Sequence, residues 1–204
     1  MVTNALPQRL TDRKRVAILG AAIDEFLAAG YDATSMDRIA ARADVSKRTV
    51  YNHFPSKEAL FAAILHQLWD ASDTGESLAY RADEPLRPQL LELLNRKLRL
   101  LNSDAFLSLA RVAIAAGIHS PERARDMVSR MGEREEDLSV WVRAAAADGR
   151  LKVDDPVFAA FQLQALVKGF AFWPQVTMGQ APLGAAEQRQ VAESAADMFL
   201  ARYA

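Results

Sequence analysis

The apolar residues between positions 11 and 68 recur at helical spacing in four short runs. Arg9 to Arg15 is polar and basic and reads as an arm leading into a helix that starts near Thr11 or Asp12. Val16, Leu19, Ile23, Phe26 and Leu27 then share one face of a 3.6-residue period. Gly30 is placed as the stop of that helix, in the left-handed conformation. A second helix of about two turns carries Met36, Ile39, Ala40 and Ala43 on its apolar face. Thr34 and Asp37 match a capping-box pattern, with Thr34 or Ser35 as N-cap. Asp44-Val45-Ser46 forms a turn that ends in the next N-cap, Ser46. A third helix is expected from Lys47 to about Phe54, where Pro55 disfavours helical geometry in the residue before it. Ser56 caps a longer fourth helix bearing Leu60, Phe61, Ile64, Leu65 and Leu68.

From Ala71 to Pro88 the chain is polar and reads as a loop within a second domain. Further helices are expected at Pro88–Asn102, Asp104–Ala116, Pro121–Arg130, Gly132–Ala147, Pro156–Phe172 and Ala185–Tyr203. Gly117, Gly149, Pro174 and the Gly179–Gly184 stretch supply the breaks. Glu133 to Asp137 reads as a solvated helix start, where acids suit the dipole. Asp154 or Asp155 caps the helix that has Pro156 at its first position. That helix has little polar face, so it is expected to be buried on both sides. The last helix is alanine-rich, and small residues allow helices to approach closely.

Composition sharpens the fold class. Half of the 204 residues are hydrophobic, and only 8 prolines and 9 glycines interrupt them. With no β-branched runs, the expected class is all-α: a small N-terminal domain at 1–55 and a larger helical domain at 56–204. The net charge is −1, so nothing global calls for a polyanionic partner. Residues 1–60 nevertheless hold nine Lys+Arg against seven Asp+Glu, a local basic excess. There are no cysteines, which excludes disulfides and thiolate metal sites. No secretory signal core and no membrane-length apolar run is present, so a cytoplasmic protein without a membrane partner is expected. The three histidines do not cluster, and no HExxH, GxSxG, Walker or GxGxxG pattern occurs. No cofactor, metal or catalytic residue is expected, and the chain does not read as an enzyme.

The chemistry concentrates between Thr34 and Lys57. A two-turn helix, a tight turn and a second short helix is the helix-turn-helix arrangement, whose second helix enters the major groove of DNA. With Val45, Val50 and Phe54 facing inward, Lys47, Arg48, Thr49, Tyr51, Asn52 and His53 share the outer faces. Arginine or lysine can pair with guanine, and threonine can touch a thymine methyl. Thr34, Ser35, Tyr51 and Lys57 are of types that bind phosphate oxygens, which position without specifying. The helix N-termini at Thr34 and Ser56 also offer free N–H groups to phosphate.

The unbroken run from Gly30 to Leu65, GYDATSMDRIAARADVSKRTVYNHFPSKEALFAAIL, resembles the DNA-binding domain of the TetR/AcrR family. With the preceding helix the likeness covers about residues 11–65. It implies an N-terminal three-helix helix-turn-helix domain followed by a larger helical domain for ligand binding and dimerisation. It implies a regulator, in the first place a ligand-released repressor, that binds a palindromic operator in double-stranded DNA as a homodimer. A ligand-independent repressor or an activator of the same fold, and a helical adaptor without DNA, are the alternatives.

Two positions depart from the family pattern. Asp44 stands where a glycine is usual, and Asp tolerates left-handed backbone better than most residues. Arg48 stands where many relatives carry a small residue, so it should reach further into the groove. The resemblance further implies a ligand cavity among the C-terminal helices. Trp69, Phe106, Leu109, Met131, Trp141 and Phe161 are the residues expected to line it, although each could equally be ordinary bundle core. Such a lining suits a small apolar or aromatic effector. The resemblance also assigns the homodimer interface to the helices near 156–172 and 185–203.

Overall fold

The structure, a computed structural model, describes residues 10–72, 78–132 and 137–204, with side chains from 12–67, 78–126 and 137–204. Every regular element among those residues is an α-helix. They form α1 (Leu10–Ala33), α2 (Met36–Arg42), α3 (Lys47–His53), α4 (Lys57–Ser72), α5 (Leu86–Leu101), α6 (Asp104–Ile118), α7 (Pro121–Gly132), α8 (Asp137–Ala147), α9 (Pro156–Ala171), α10 (Trp173–Thr177) and α11 (Ala185–Tyr203). No single helix among them is long and apolar enough to cross a membrane.

The chain divides into two compact units, and no single cut in the sequence separates them. One unit holds residues up to Leu68 together with Arg111–Met127; the other holds Trp69–Ala110 and Val128–Ala204.

The core of the first unit forms from α1, α2, α3 and the first turns of α4. On α1 the buried face is Ile18, Leu19, Ala22, Glu25 and Phe26, whereas Val16 and Leu27 are exposed. The apolar stripe is thus turned from the one the large side chains suggest, with Ala21 and Ala22 among its buried residues. Met36, Ile39 and Ala40 bury the inner face of α2, and Val50 and Phe54 that of α3. α1 ends at Gly30, with φ 80° and ψ 164°. That is a nearly glycine-only conformation, though not the left-handed helical one expected.

The link from α2 to α3 is a Schellman turn. Val45 N–H reaches back to Ala40 O at 3.1 Å and Asp44 N–H to Ala41 O at 3.3 Å. Asp44 occupies the left-handed position, with φ 52°. Replacing it with glycine removes the Cβ strain, so Asp44→Gly is expected to be at least as stable, by up to about 1 kcal/mol. Chemical denaturation of the purified variant checks this; a clear loss of stability contradicts the turn assignment.

In the second unit α5 packs on α9 and α11, and α9 packs on α8 and α11. Ser103 and Asn102 separate α5 from α6, and Gly149, at φ 73°, ends the turn after α8. Arg150 N–H bonds to Ala145 O and Gly149 N–H to Ala146 O, a second Schellman turn. Asp155 is the N-cap of α9, its carboxylate accepting from Val157 N–H and Phe158 N–H at 3.0 Å each. Gln89 is buried and joins three segments. Its Oε1 accepts from Arg81 N–H at 2.9 Å and from Trp141 Nε1–H at 3.2 Å. α10 is an additional short helix where the sequence suggests only a break at Pro174. Proline fits its first turn, where a backbone N–H has no helical partner.

Two expectations change. Gly117 does not break α6, which runs on to Ile118. Within the single chain α9 is buried on one side only: Ala159, Ala160, Leu163 and Val167 face inward, but Val157, Phe158, Phe161 and Phe170 are exposed. Most of the acidic run, Glu133 to Glu136, lies outside the described residues.

Candidate nucleic-acid interface

The outer face of α3 is built by what lies beneath it. Val50 and Phe54 anchor the inner side, and Ser46 caps the N-terminus by accepting from Thr49 N–H at 3.1 Å. Lys47, Arg48, Tyr51 and Asn52 are then exposed, and Thr49 and His53 half-exposed. Tyr51 keeps about half of its surface in solvent (49%), so it is no core residue. The Thr49 hydroxyl already lies 2.8 Å from the Ser46 hydroxyl, which fixes its rotamer.

The cations of this face differ in readiness. Lys47 Nζ pairs with Asp37 Oδ2 of α2 at 2.6 Å, an exposed pair of small net worth. Among the described residues no ion pair or hydrogen bond is seen for the Arg48 guanidinium. It stands at the second position of α3 with its full donor fork available.

α2 is held on α1 by an ionic cluster that the sequence did not single out. The buried Glu25 carboxylate takes Arg42 Nε at 2.8 Å and Arg38 Nη2 at 2.8 Å. Arg42 Nη1 also lies 3.5 Å from Asp24. Hydrogen bonding from Arg42, reinforced by Arg38, holds the Glu25 carboxyl below the ordinary carboxylate value despite its burial. The two exposed arginines of α2 therefore fix the scaffold. Sequence offers only a weak hint of this, an acid on an otherwise apolar stripe.

Two residues expected at phosphate have hydrogen-bond partners within the fold. Thr34 is buried, and its hydroxyl donates to Gly30 O at 2.8 Å and Glu25 O at 3.1 Å. Ser35 is the N-cap, its oxygen accepting from Arg38 N–H at 3.3 Å, and it stays exposed. Lys57 is engaged within the fold as well. Its ammonium donates to the carbonyls of Tyr31 at 2.8 Å, Thr34 at 3.0 Å and Asp32 at 3.2 Å, and lies 4.5 Å from the centre of the Tyr31 ring. It closes off the end of α1, where unpaired carbonyls attract a cation. Both residues hold the frame of the interface.

Tyr31 is the hub of that frame. Its ring packs on Phe26 at 5.3 Å and on Phe61 at 5.1 Å, and its hydroxyl donates to Glu58 Oε1 at 3.2 Å. Burial, with Glu58 beside it, pushes the phenol up to about 12.

Of the six residues expected around a ligand, four have described side chains, three of them buried and one exposed. Phe106, Leu109 and Trp141 are buried in the second unit. Phe106 lies 6.2 Å from Phe172, and Trp141 lies 6.0 Å from Tyr80 and bonds to Gln89. Phe161 is 69% exposed on the outer face of α9, so it lines no interior cavity. A residue on a helix that is apolar all round carries no sign in the sequence of which way it faces. The side chains of Trp69 and Met131 lie outside the described residues. Two apolar grooves lined by described residues run along α9 and α11, around Leu166, Phe170 and Met198. Among the described residues no group of acids and histidines could hold a metal ion.

Residues 18–64 match the family model described as bacterial regulatory proteins, tetR family, and residues 88–204 the one described as AefR-like transcriptional repressor, C-terminal domain. A solved TetR family transcriptional regulator from Pseudomonas syringae pv. tomato str. DC3000 is 57% identical, with TM-score 0.85 over 95% of this chain and 98% of that one. The HTH-type transcriptional regulator RutR of Escherichia coli (strain K12) is 30% identical over 85% of this chain and 82% of its own. The structure of a flavonoid-responsive regulator, FrrA, is 28% identical, with TM-score 0.69 over 94% and 97% of the two chains.

Proposed function

The chain belongs to the TetR family of transcriptional regulators, DNA-binding proteins and not enzymes, and on that premise we propose that it is a ligand-released repressor that holds a palindromic operator as a homodimer. The observation that carries the DNA contact is the outer face of α3. Six residues stand over a buried Val50–Phe54 anchor, with Arg48 free to meet a base edge, Tyr51 and Lys47 of a type to hold phosphate, and Ser35 at the start of α2 likewise. Thr49, Asn52 and His53 complete the face.

The exposed apolar residues of α9, with Met198 of α11, support the homodimer. Val157, Phe158 and Phe161 on one side of α9, and Phe170 beside the groove with Met198, leave a surface too apolar for a monomer, and a second copy of the same helices covers it by two-fold symmetry. Two α3 helices then fall about 34–36 Å apart, one turn of DNA. The buried Phe106, Leu109 and Trp141 favour an apolar or aromatic effector in the second unit. The relative described as flavonoid-responsive agrees with that class. Release requires only that the effector bind the DNA-incompetent state more tightly.

Arg48→Ala tests the assignment of the reading residue. On a selected operator and its single-base variants, the substitution is expected to remove about 1–3 kcal/mol of discrimination at one position of each half-site. Binding to unrelated duplex should fall far less. An unchanged base preference contradicts the role of Arg48.

A further inference from the structure

We propose that Arg123 of α7 is a positioning residue for DNA binding, clamping the Tyr31–Asp32 turn from which α2 and α3 follow. The inference rests on the DNA-binding reading of α3 and extends the binding head to a helix 91 positions further along the chain.

Three observations meet at this residue. Its Nη2 pairs with Asp32 Oδ1 at 3.0 Å. Its guanidinium carbon stands 4.1 Å from the centre of the Tyr31 ring. Its Nη1 is buried with no hydrogen-bond partner among the described residues, so the ring and the Asp32 carboxylate hold the group. Ser120 Oγ accepts from Arg123 N–H at 3.3 Å and orients the first turn of α7. The Arg111–Met127 segment belongs to the same compact unit as the helix-turn-helix. It also falls within the stretch matched as a C-terminal repressor domain.

The turn needs such a clamp. α2 and α3 have seven residues each, too few to hold a helix by themselves, so their placement depends on the segments that enter and leave them. The entering segment is Gly30 to Ser35. Lys57 ties its carbonyls from α4, and Arg123 ties its ring and carboxylate from α7. Only a flat guanidinium can stack on the phenol and still present a donor to Asp32; a lysine ammonium keeps the charge and loses the plane. When the clamp is lost, fewer molecules hold the geometry that fits DNA, and the apparent affinity falls by that fraction.

The test uses the full chain as wild type, Arg123→Ala and Arg123→Lys, with a selected operator duplex as the probe. Operator affinity is measured across a salt series, and amide hydrogen exchange follows the free proteins. Arg123→Ala is expected to bind about tenfold more weakly with an unchanged salt slope, since Arg123 neutralises no phosphate. Exchange should quicken across residues 31–54 and stay as it was in α9 and α11. Arg123→Lys should recover part of both losses. Wild-type affinity in Arg123→Ala overturns the proposal, as does a salt slope lower by about one, which makes Arg123 a phosphate contact. Faster exchange in α9 and α11 as well overturns it in favour of a general structural role. If the wild type itself fails to bind any operator, the DNA reading of α3 fails, while the exchange comparison still decides the clamp.

Discussion

Phe161→Glu is expected to convert the protein to a monomer and to weaken operator binding by about 10²- to 10⁴-fold. The side chain is 69% exposed on the outer face of α9, one turn along from Phe158. A carboxylate there is solvated in the single chain but, by the two-fold axis, faces its own copy or other apolar side chains in the dimer. Burying an unpaired charge in such a contact costs several kcal/mol, more than one face can offset. The fold of the chain should survive, because the inner face of α9 (Ala159, Ala160, Leu163, Val167) is untouched. Operator affinity falls because two half-sites are then met one at a time, and the gain from linkage is lost. Sedimentation and an operator titration on the same preparation check both parts. A variant that remains dimeric places the interface elsewhere.

Gly30→Ala is expected to cost about 1–3 kcal/mol of stability, although the position has room for a methyl group. No atom lies within 4 Å of where the Cβ would sit, so the penalty is entirely one of backbone conformation. At φ 80° and ψ 164° an alanine is strained, and the alternative is to move the turn. Moving it breaks the Thr34 hydroxyl bond to Gly30 O and pulls Tyr31 from Phe26 and Phe61. Operator affinity should therefore drop together with stability. Denaturant unfolding measures the cost, and an unchanged midpoint contradicts the assignment of Gly30 as the hinge of the frame.

The residues that could be read from the sequence are those whose role is local. Ser35, Ser46 and Asp155 cap because a short polar side chain before an apolar period meets the free N–H groups of a helix start. Pro55 and Gly149 stop helices for reasons of backbone geometry alone. Asp44 could be assigned its left-handed turn because the family resemblance puts a glycine at that position. The contacts that the sequence does not reveal depend on partners distant in the chain. Thr34 and Lys57 look like phosphate ligands by type, yet tertiary packing brings unsatisfied carbonyls of the α1 end to them first. Glu25 lies on the apolar face of α1, and only the fold brings Arg38 and Arg42 to it. Phe161 shares its helix with inward apolar residues and carries nothing that says it faces out. The same holds for Arg123, one charged residue among several on α7, until Asp32 and Tyr31 are placed beside it.

Selection of the full chain against randomised duplex DNA at physiological salt, with sequencing of the bound pool, tests the account most directly. A palindrome with half-sites centred about one helical turn apart is predicted, with its sharpest base preference lost in Arg48→Ala. Binding that stays weak, sequence-blind and without an enriched palindrome would contradict the α3 face as an operator reader.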